Sequence, residues 1–205
     1  MPLIRKPPQP PEKVFAIATP AAMLWKFAWE LRGLRRALAK PAQKVADTHA
    51  PAYWAFNCSV TAWHLTDWIW NNITPGERSK ILTSLGERGA GKDEEKNFRT
   101  FQRALMRKFR VLHVCRQIAT GSKHSEVARF SDPSVRAEMR WEMEAAKAGK
   151  VRAGDPLATY RYQLVVRDGE SERPAFDVFK DAFAVWQRVL EEWGFVEDRF
   201  IDGSS

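Results

Sequence analysis

Helical hydrophobic periodicity runs through a long stretch of the sequence, from Lys96 to His124. On a helix with about 100° per residue, the apolar residues form one stripe and the cations form another on the opposite side. The apolar stripe consists of Phe98, Phe101, Leu105, Phe109, Leu112, Cys115 and Ala119. The basic stripe consists of Lys96, Arg99, Arg103, Arg107 and Arg110. The pattern predicts a core helix with a charged outer face and a candidate kink near Arg107 to Arg110.

Arg116 departs from this pattern, because it falls about 40° from Leu112 and therefore within the apolar stripe. An unpaired guanidinium would be very costly in such a position. Gly121 predicts the end of the helix, since glycine favours a left-handed C-cap, and Ser122, Lys123 and His124 follow it. We therefore expect any function to depend on Arg116 and His124.

Other segments predict further helices. Thr19 and Pro20 are typical of a helix start, and the apolar face that follows extends to about Lys40. Pro51 opens a second helix that is apolar nearly all round and should be central in a bundle. Thr74 and Pro75 open a short helix that Gly86 ends. The last predicted helix carries Phe176, Phe179, Phe183, Trp186, Leu190 and Trp193 at spacings of three and four.

The segment between His124 and the last helix has a different character. Asp132 and Pro133 predict the start of an amphipathic helix that extends to about Lys147, and 149–156 reads as a loop. Tyr160, Tyr162, Leu164 and Val166 then alternate with more polar residues, as in a strand. Asp168 and Gly169 predict a turn and a short return strand near Glu172. The sequence thus predicts a mainly α fold, a four- or five-helix bundle with a β-hairpin inserted before the C-terminal helix.

We expect a single helical domain over 19–196, between a Pro-rich mobile tail at 1–18 and a polar tail at 197–205. Cys58 and Cys115 lie in apolar helical surroundings, which fits free thiols in a reducing cytoplasm. The prolines near the N-terminus argue against a signal peptide, and no run of about 18 apolar residues predicts a membrane span.

The second helix carries a line of polar residues, at spacings that place them on one face. They are Asn57, His64, Asp67 and Asn71. Asp67 lies among Val60, Trp63 and Trp70, which predicts that its carboxylate is buried. A buried carboxylate needs a cation, so we expect Asp67 to pair with Arg116. The alternative is that His64 and Asp67 point to solvent at the rim of the bundle.

The net charge is +8, from 33 Lys and Arg against 25 Asp and Glu in 205 residues. This balance favours contact with phosphate or another acidic surface, and the alternative is a basic protein with no polyanion partner. Residues 86–93, GERGAGKD, nearly match a phosphate-binding loop, but Asp93 stands where a hydroxyl should bind magnesium. The four histidines lack the paired spacings of helical metal sites, so we predict neither a nucleotide, a metal nor another cofactor.

The stretch from Arg116 to His124, RQIATGSKH, resembles the motif of the HEPN family of helical nucleases, an Arg followed by His near the end of a bundle helix. That family usually separates the two residues by four to six positions, whereas seven intervene here and Gln117 follows the Arg. Arg107 and His113, with five between them, fit the spacing better, but Lys108 follows that Arg. The chain is also similar to uncharacterised bacterial helical proteins that share the Trp63 to Trp68 and Arg116 to His124 stretches.

The HEPN resemblance implies a metal-independent endoribonuclease of toxin or phage-defence type, with an antitoxin or partner protein and a homodimer whose site forms across a two-fold axis. Arg116 would bind the scissile phosphate, His124 would act as acid or base, and Asp67 and His64 would orient them. The basic stripe and Lys123 would bind the RNA backbone. The alternative is a non-catalytic helical module that binds nucleic acid or a partner protein.

Overall fold

The computed structural model describes residues 17–40, 49–121, 131–145 and 158–195. These ranges form six α-helices and one three-stranded antiparallel sheet. The helices are α1 (Pro20–Ala39), α2 (His49–Asn71), α3 (Pro75–Ser84), α4 (Glu94–Lys108), α5 (Arg110–Gly121) and α6 (Ala175–Glu192). The strands β1 (Val135–Ala145), β2 (Ala158–Asp168) and β3 (Ser171–Pro174) lie between α5 and α6. The predicted mainly α fold with a β-hairpin before the last helix is confirmed, and β1 adds a third strand to it.

Local capping explains where the early helices begin. Thr19 caps α1 by accepting a hydrogen bond from the N–H of Ala22 at 3.1 Å, with Pro20 at the first helical position. Thr74 and Glu77 form a reciprocal capping box at the start of α3. Gly86 follows α3 with a φ of 81°, the left-handed region that glycine favours.

The hydrophobic core lies around α2, against which α1, α5 and α6 pack. Its largest fully buried side chains include those of Trp186, Phe27, Phe101 and Phe179. The predicted central position of α2 is therefore confirmed. Within the described ranges, no helix combines the length and apolar character needed to cross a membrane.

The long helix predicted from Lys96 is interrupted at Phe109. This residue has an extended backbone (φ −132°, ψ 91°) and closes α4 through its N–H, which donates to the carbonyl of Leu105 at 2.8 Å. The chain resumes as α5 at Arg110. The position of the predicted kink is confirmed, but the chain forms two separate helices there instead of one kinked helix. The apolar and basic stripes predicted for a single helix therefore do not continue in line from α4 to α5.

The helix predicted from Asp132 to about Lys147 is wrong, because this segment is β1. Asp132 does accept hydrogen bonds from the N–H of Ser134, at 3.0 Å, and from its hydroxyl, as a helix-capping residue would. Here the same local bonds form a turn that leads into a strand. Val135, Ala137, Met139 and Trp141 alternate with Arg136, Glu138 and Arg140, which is strand periodicity.

β1 pairs with β2 along their whole length, with Val135 opposite Asp168 and Ala145 opposite Ala158, and β2 pairs with β3. One face of the sheet carries the buried Leu164 and Val166 of β2 and packs toward the bundle. The other carries a charge network of Glu138, Arg140, Arg167 and Glu172.

Several predicted segments lie outside the described residues. They are the Pro-rich tail up to residue 16, the linker at 41–48, the loop at 149–156 and the polar tail at 197–205. Within the described part, α2 begins at His49, two residues before the predicted start at Pro51.

Candidate functional site

Arg116 lies on the side of α5 that packs against α2. Its guanidinium carbon is 5.6 Å from the centroid of the Trp63 ring, a distance that permits a cation–π interaction. The residue is half-buried between the buried Cys115 and Gln117. Burial lowers the pKa of Arg116 from its ordinary value by desolvating the charged form. The predicted position of Arg116 within the apolar stripe is therefore confirmed in part.

The helical turn of α2 that carries Trp63 also carries His64, and Asp67 follows one turn later. His64 and Asp67 are both half-buried, whereas Asn57 and Asn71 are exposed. The predicted burial of Asp67 is therefore confirmed only in part. Asp67 as a whole residue is only half-buried, and removing a carboxylate from water costs most where the residue is fully buried. Its ion pair with Arg116 stays a prediction.

His124 and Lys123 lie outside the described residues, as does any connection beyond Gly121. The described part of α5 runs to Gly121. The roles predicted for His124 as acid or base, and for Lys123 in RNA binding, therefore stay predictions.

The cations of the basic stripe are all exposed, but three of them are held by carboxylates of the same chain. Arg99 pairs with Glu95, and Arg107 pairs with Glu87. Arg110 donates to Asp168, from Nε to Oδ2 at 3.0 Å, and its Nη2 lies 2.9 Å from Asp132 Oδ2. A phosphate would have to compete with these carboxylates.

Two cations of the stripe differ from the other three. Lys96 and Arg103 are exposed on α4, and neither takes part in an ion pair with a carboxylate in the described ranges. Arg103 donates from Nε to the backbone carbonyl of Arg99 at 3.3 Å. Of the predicted stripe, these two are therefore the cations best placed to bind phosphate.

A second polar cluster, which the sequence analysis missed, joins α5 to the sheet. The carboxylate of Asp132 accepts from Arg110 and lies 2.9 Å from Nε2 of His113, while its other oxygen accepts from the N–H and hydroxyl of Ser134. The Ser134 hydroxyl is the main cause that holds the pKa of Asp132 well below its usual range, with Arg110 and His113 contributing. The Asp-Pro-Ser sequence was the available signal, because it is typical of a turn that the aspartate stabilises.

Arg107 and His113, the alternative Arg and His of the HEPN motif, bond to different partners. His113 is bound to Asp132 at the base of the sheet, whereas Arg107 is bound to Glu87 beyond the break at Phe109. The Asp132 carboxylate already accepts four hydrogen bonds, so it has little remaining capacity to take up a proton. The hydrogen bonds of Asp132 to Arg110 and His113 are suited to holding the sheet against α5.

A pocket of about 270 Å³ lies beside this cluster. Its apolar walls come from α2, α5 and β1, and its polar residues are Gln117, Ser131 and Asp132. The wall residues include Phe56, Ile118, Val135 and Ala137. The backbone N–H of Asp132 donates to the Gln117 amide oxygen at 3.2 Å, so Gln117 and Asp132 bond to each other beside the pocket.

The loop of residues 86–93 has a structural role. Asp93 caps α4 by accepting from the N–H of Lys96 at 3.0 Å. The side chain of Asn97 bonds both the N–H and the carbonyl of Gly91. The residue that breaks the nucleotide-binding motif is therefore the N-cap of α4. Among the described residues, no group of three or more His, Cys, Asp or Glu side chains is arranged to hold a metal ion.

Comparisons with known proteins add no assignment. No protein-family model matches the chain, and neither curated protein sequences nor solved structures give a significant match to it. The HEPN resemblance therefore stays a prediction that rests on the residues quoted for it.

Proposed function

We propose that this protein is a metal-independent endoribonuclease of toxin or phage-defence type, acting in the cytoplasm on RNA. The observation that supports the proposal best is the position of Arg116. A guanidinium that is half-buried against Trp63, on the α2 turn that carries His64, is a preorganised group of the kind that binds phosphate in two-point fashion. The buried free thiols of Cys58 and Cys115 fit a reducing compartment.

In the proposed reaction, Arg116 holds the non-bridging oxygens of the scissile phosphate. His124 takes the proton from the ribose 2′-hydroxyl, whose oxygen attacks phosphorus. The bond from phosphorus to the 5′-oxygen breaks, and the leaving oxygen takes up a proton from water or a second acid. The products are a 2′,3′-cyclic phosphate and a 5′-hydroxyl. Asp67 and His64 orient the two catalytic residues.

Contacts with the RNA backbone come from the basic stripe. Lys96 and Arg103 supply the first contacts, because binding there breaks no ion pair with a carboxylate of the described chain. Arg99, Arg107 and Arg110 contribute after exchanging a carboxylate for a phosphate, and Lys123 supplies a further cation for the RNA backbone. A homodimer and an antitoxin or other partner protein belong to the same proposal.

The test is cleavage of RNA by the purified protein in the presence of EDTA. The wild type should leave 2′,3′-cyclic phosphate ends. His124→Ala should reduce the rate by about 10²–10⁴-fold, the usual contribution of an acid–base group. Arg116→Lys keeps the positive charge but loses two-point phosphate binding, so it should also cut slowly.

Arg32→Ala is the matched control for these variants, because Arg32 is an exposed arginine on α1. It should cut at the parental rate. If the wild type leaves varied RNAs intact, or if His124→Ala cuts as well as the parent, the protein is not this enzyme.

A second candidate is a non-catalytic module that binds a partner protein. Two observations favour it: three stripe cations are already engaged by carboxylates, and large aromatic side chains are exposed on α1 and α2. Trp29 is 56% and Tyr53 is 64% exposed, and the Trp29 ring lies 5.0 Å from that of Trp54. Aromatic residues of this kind are enriched in protein interfaces. Binding without cleavage would identify this class.

A further inference from the structure

We propose that a second copy of this chain pairs with the outer edge of β1. The two β1 strands would run antiparallel about a two-fold axis at Met139, and the two sheets would join into one of six strands. This inference does not rest on ribonuclease activity. It rests on the position, backbone orientation and sequence of β1.

Within the described residues, no strand pairs with the outer side of β1. In the described part of the chain, the sheet has the order β1-β2-β3, so β1 is an edge strand. Ala137 is exposed, and Met139 keeps 38% of its surface exposed. An edge of this length presents backbone groups that can pair with another strand.

The backbone orientation follows from the turn at the base of the sheet. Ser134 lies opposite Gly169 in the continued register, and its carbonyl accepts from the N–H of Gly169 at 3.0 Å. In an antiparallel pair, successive residues alternate between bonding the neighbour and facing away from it. The N–H and C=O of Ala137 and Met139 therefore face the outer edge, where a second strand can bond to them.

The sequence of β1 is most complementary to itself when the two-fold axis lies at Met139, because Arg136 then also lies opposite Glu142 of the second copy, whereas an axis at Ala137 pairs only Arg136 with Glu138. With the two-fold axis at Met139, Glu138 lies opposite Arg140 of the second copy, and Arg140 lies opposite its Glu138. On the other face, the small Ala137 lies opposite the large Trp141. Cross-strand pairs of opposite charge stabilise a sheet by about 0.2–1 kcal/mol each.

Neighbouring registers are disfavoured by the same residues. An axis at residue 138 would oppose two glutamates, and an axis at residue 140 would oppose two arginines, which destabilises pairing. Edge strands that avoid self-association commonly carry charged side chains, especially Lys, and like charges on two copies repel each other. The alternation of Arg136, Glu138 and Arg140 does the reverse, since it makes the strand attractive to its own reversed copy.

Disulfide trapping tests both the interface and its register. Residue 139 of each copy would be a directly opposed hydrogen-bonded pair with Cα atoms about 5.5 Å apart, within the reach of a disulfide. Met139→Cys should form covalent dimers under mild oxidation. Arg136→Cys is the control, because in this register its two copies lie about 20 Å apart. The native Cys58 and Cys115 are buried and should not contribute.

Met139→Pro tests the edge without cross-linking. Proline removes the outward N–H of residue 139 and leaves the bonds between β1 and β2 in place. In sedimentation experiments at micromolar concentration, the wild type should be a dimer, and the variant should have a dissociation constant raised by about tenfold or more. Circular dichroism tests whether the variant is folded. If the variant is unfolded, the disulfide experiment alone tests the proposed interface.

Three outcomes would overturn the proposal. The first is a monomeric wild type at these concentrations. The second is a dimer that folded Met139→Pro leaves unchanged. The third is covalent dimerisation that is as fast for Arg136→Cys as for Met139→Cys.

Discussion

The indole N–H of Trp186 donates a hydrogen bond to the backbone carbonyl of Ala62 at 2.8 Å, and both residues are fully buried. The bond joins the C-terminal helix α6 to the central helix α2, 124 residues earlier in the chain. It satisfies the one polar atom of the largest fully buried side chain in the core. A buried tryptophan usually finds such a partner, because an unpaired N–H would be costly.

Trp186→Phe should therefore destabilise the protein by about 2–4 kcal/mol, from the lost hydrogen bond together with the space the smaller ring leaves. Urea unfolding followed by circular dichroism measures the change. Trp29→Phe is the control, because Trp29 is 56% exposed and its replacement should change the free energy of unfolding by less than about 0.5 kcal/mol. Equal effects of the two substitutions would contradict the assigned role of Trp186.

Gly33 provides a second prediction, because the Trp54 ring closely covers it. A Cβ atom added at Gly33 would lie 2.7 Å from a carbon of that ring, a distance at which something must move. Ala normally stabilises a helix relative to Gly by about 0.5–1 kcal/mol. At Gly33 the steric conflict should outweigh this gain, so we expect Gly33→Ala to destabilise by about 1–3 kcal/mol.

Gly76→Ala is the matched control for Gly33→Ala. Gly76 lies in the first turn of α3 and has no heavy atom within 4 Å of an added Cβ. This substitution should leave the melting temperature unchanged or raise it. A stabilised Gly33→Ala would mean that the Trp54 ring moves away at little cost.

Local signals in the sequence explain how much of the fold could be predicted. Thr19 and Thr74 each cap a helix through their own side chains, so both starts were visible in a few residues. The apolar spacing of α6 likewise predicted its buried face. These features depend on neighbours within one or two turns, which a sequence displays directly.

The errors arose where distant residues decide the structure. The capping pattern at Asp132 is shared by helices and turns, and it is the pairing of β1 with β2 that selects the strand. The extent to which Asp67 is buried depends on which helices pack against α2. The engagement of Arg110 by Asp168 depends on two residues 58 positions apart. The periodicity of α4 and α5 could not reveal the contact between Arg110 and Asp168.

Asp132 should make the stability of the protein depend on pH. Its carboxylate accepts from Ser134, Arg110 and His113, and its pKa is held well below the ordinary value of 3.8. A folded-state pKa that is lowered contributes stability above the unfolded-state pKa, and this contribution is lost as the pH falls toward the folded-state value. The stabilisation by the Asp132 carboxylate should therefore be complete at pH 7 and decline below about pH 3.8.

Asp132→Asn tests this dependence. The amide would turn a donor toward Arg110 and His113, which are donors themselves, so we expect a loss of about 1–3 kcal/mol at pH 7. The difference from the wild type should shrink at pH 3. Glu192→Gln, at an exposed position near the end of α6, should show little difference at either pH. A difference between wild type and Asp132→Asn that does not change with pH would exclude the carboxylate as the cause.

The last prediction separates cations within the basic stripe. Arg103 has no ion pair with a carboxylate in the described ranges, whereas Arg107 is held by Glu87. To bind a phosphate, Arg107 must first give up an exposed ion pair worth up to about 1 kcal/mol. Arg103→Ala should therefore weaken RNA binding more than Arg107→Ala does.

Fluorescence titrations of single-stranded RNA at several salt concentrations measure this difference. Loss of one phosphate contact should reduce the slope of log K against log salt by about 0.7, so Arg103→Ala should approach that value and Arg107→Ala should fall short of it. Arg32→Ala on α1 should leave the slope unchanged. Equal losses in all three variants would indicate a diffuse effect of net charge. Unchanged binding in both stripe variants would reduce the stripe to a solvated face.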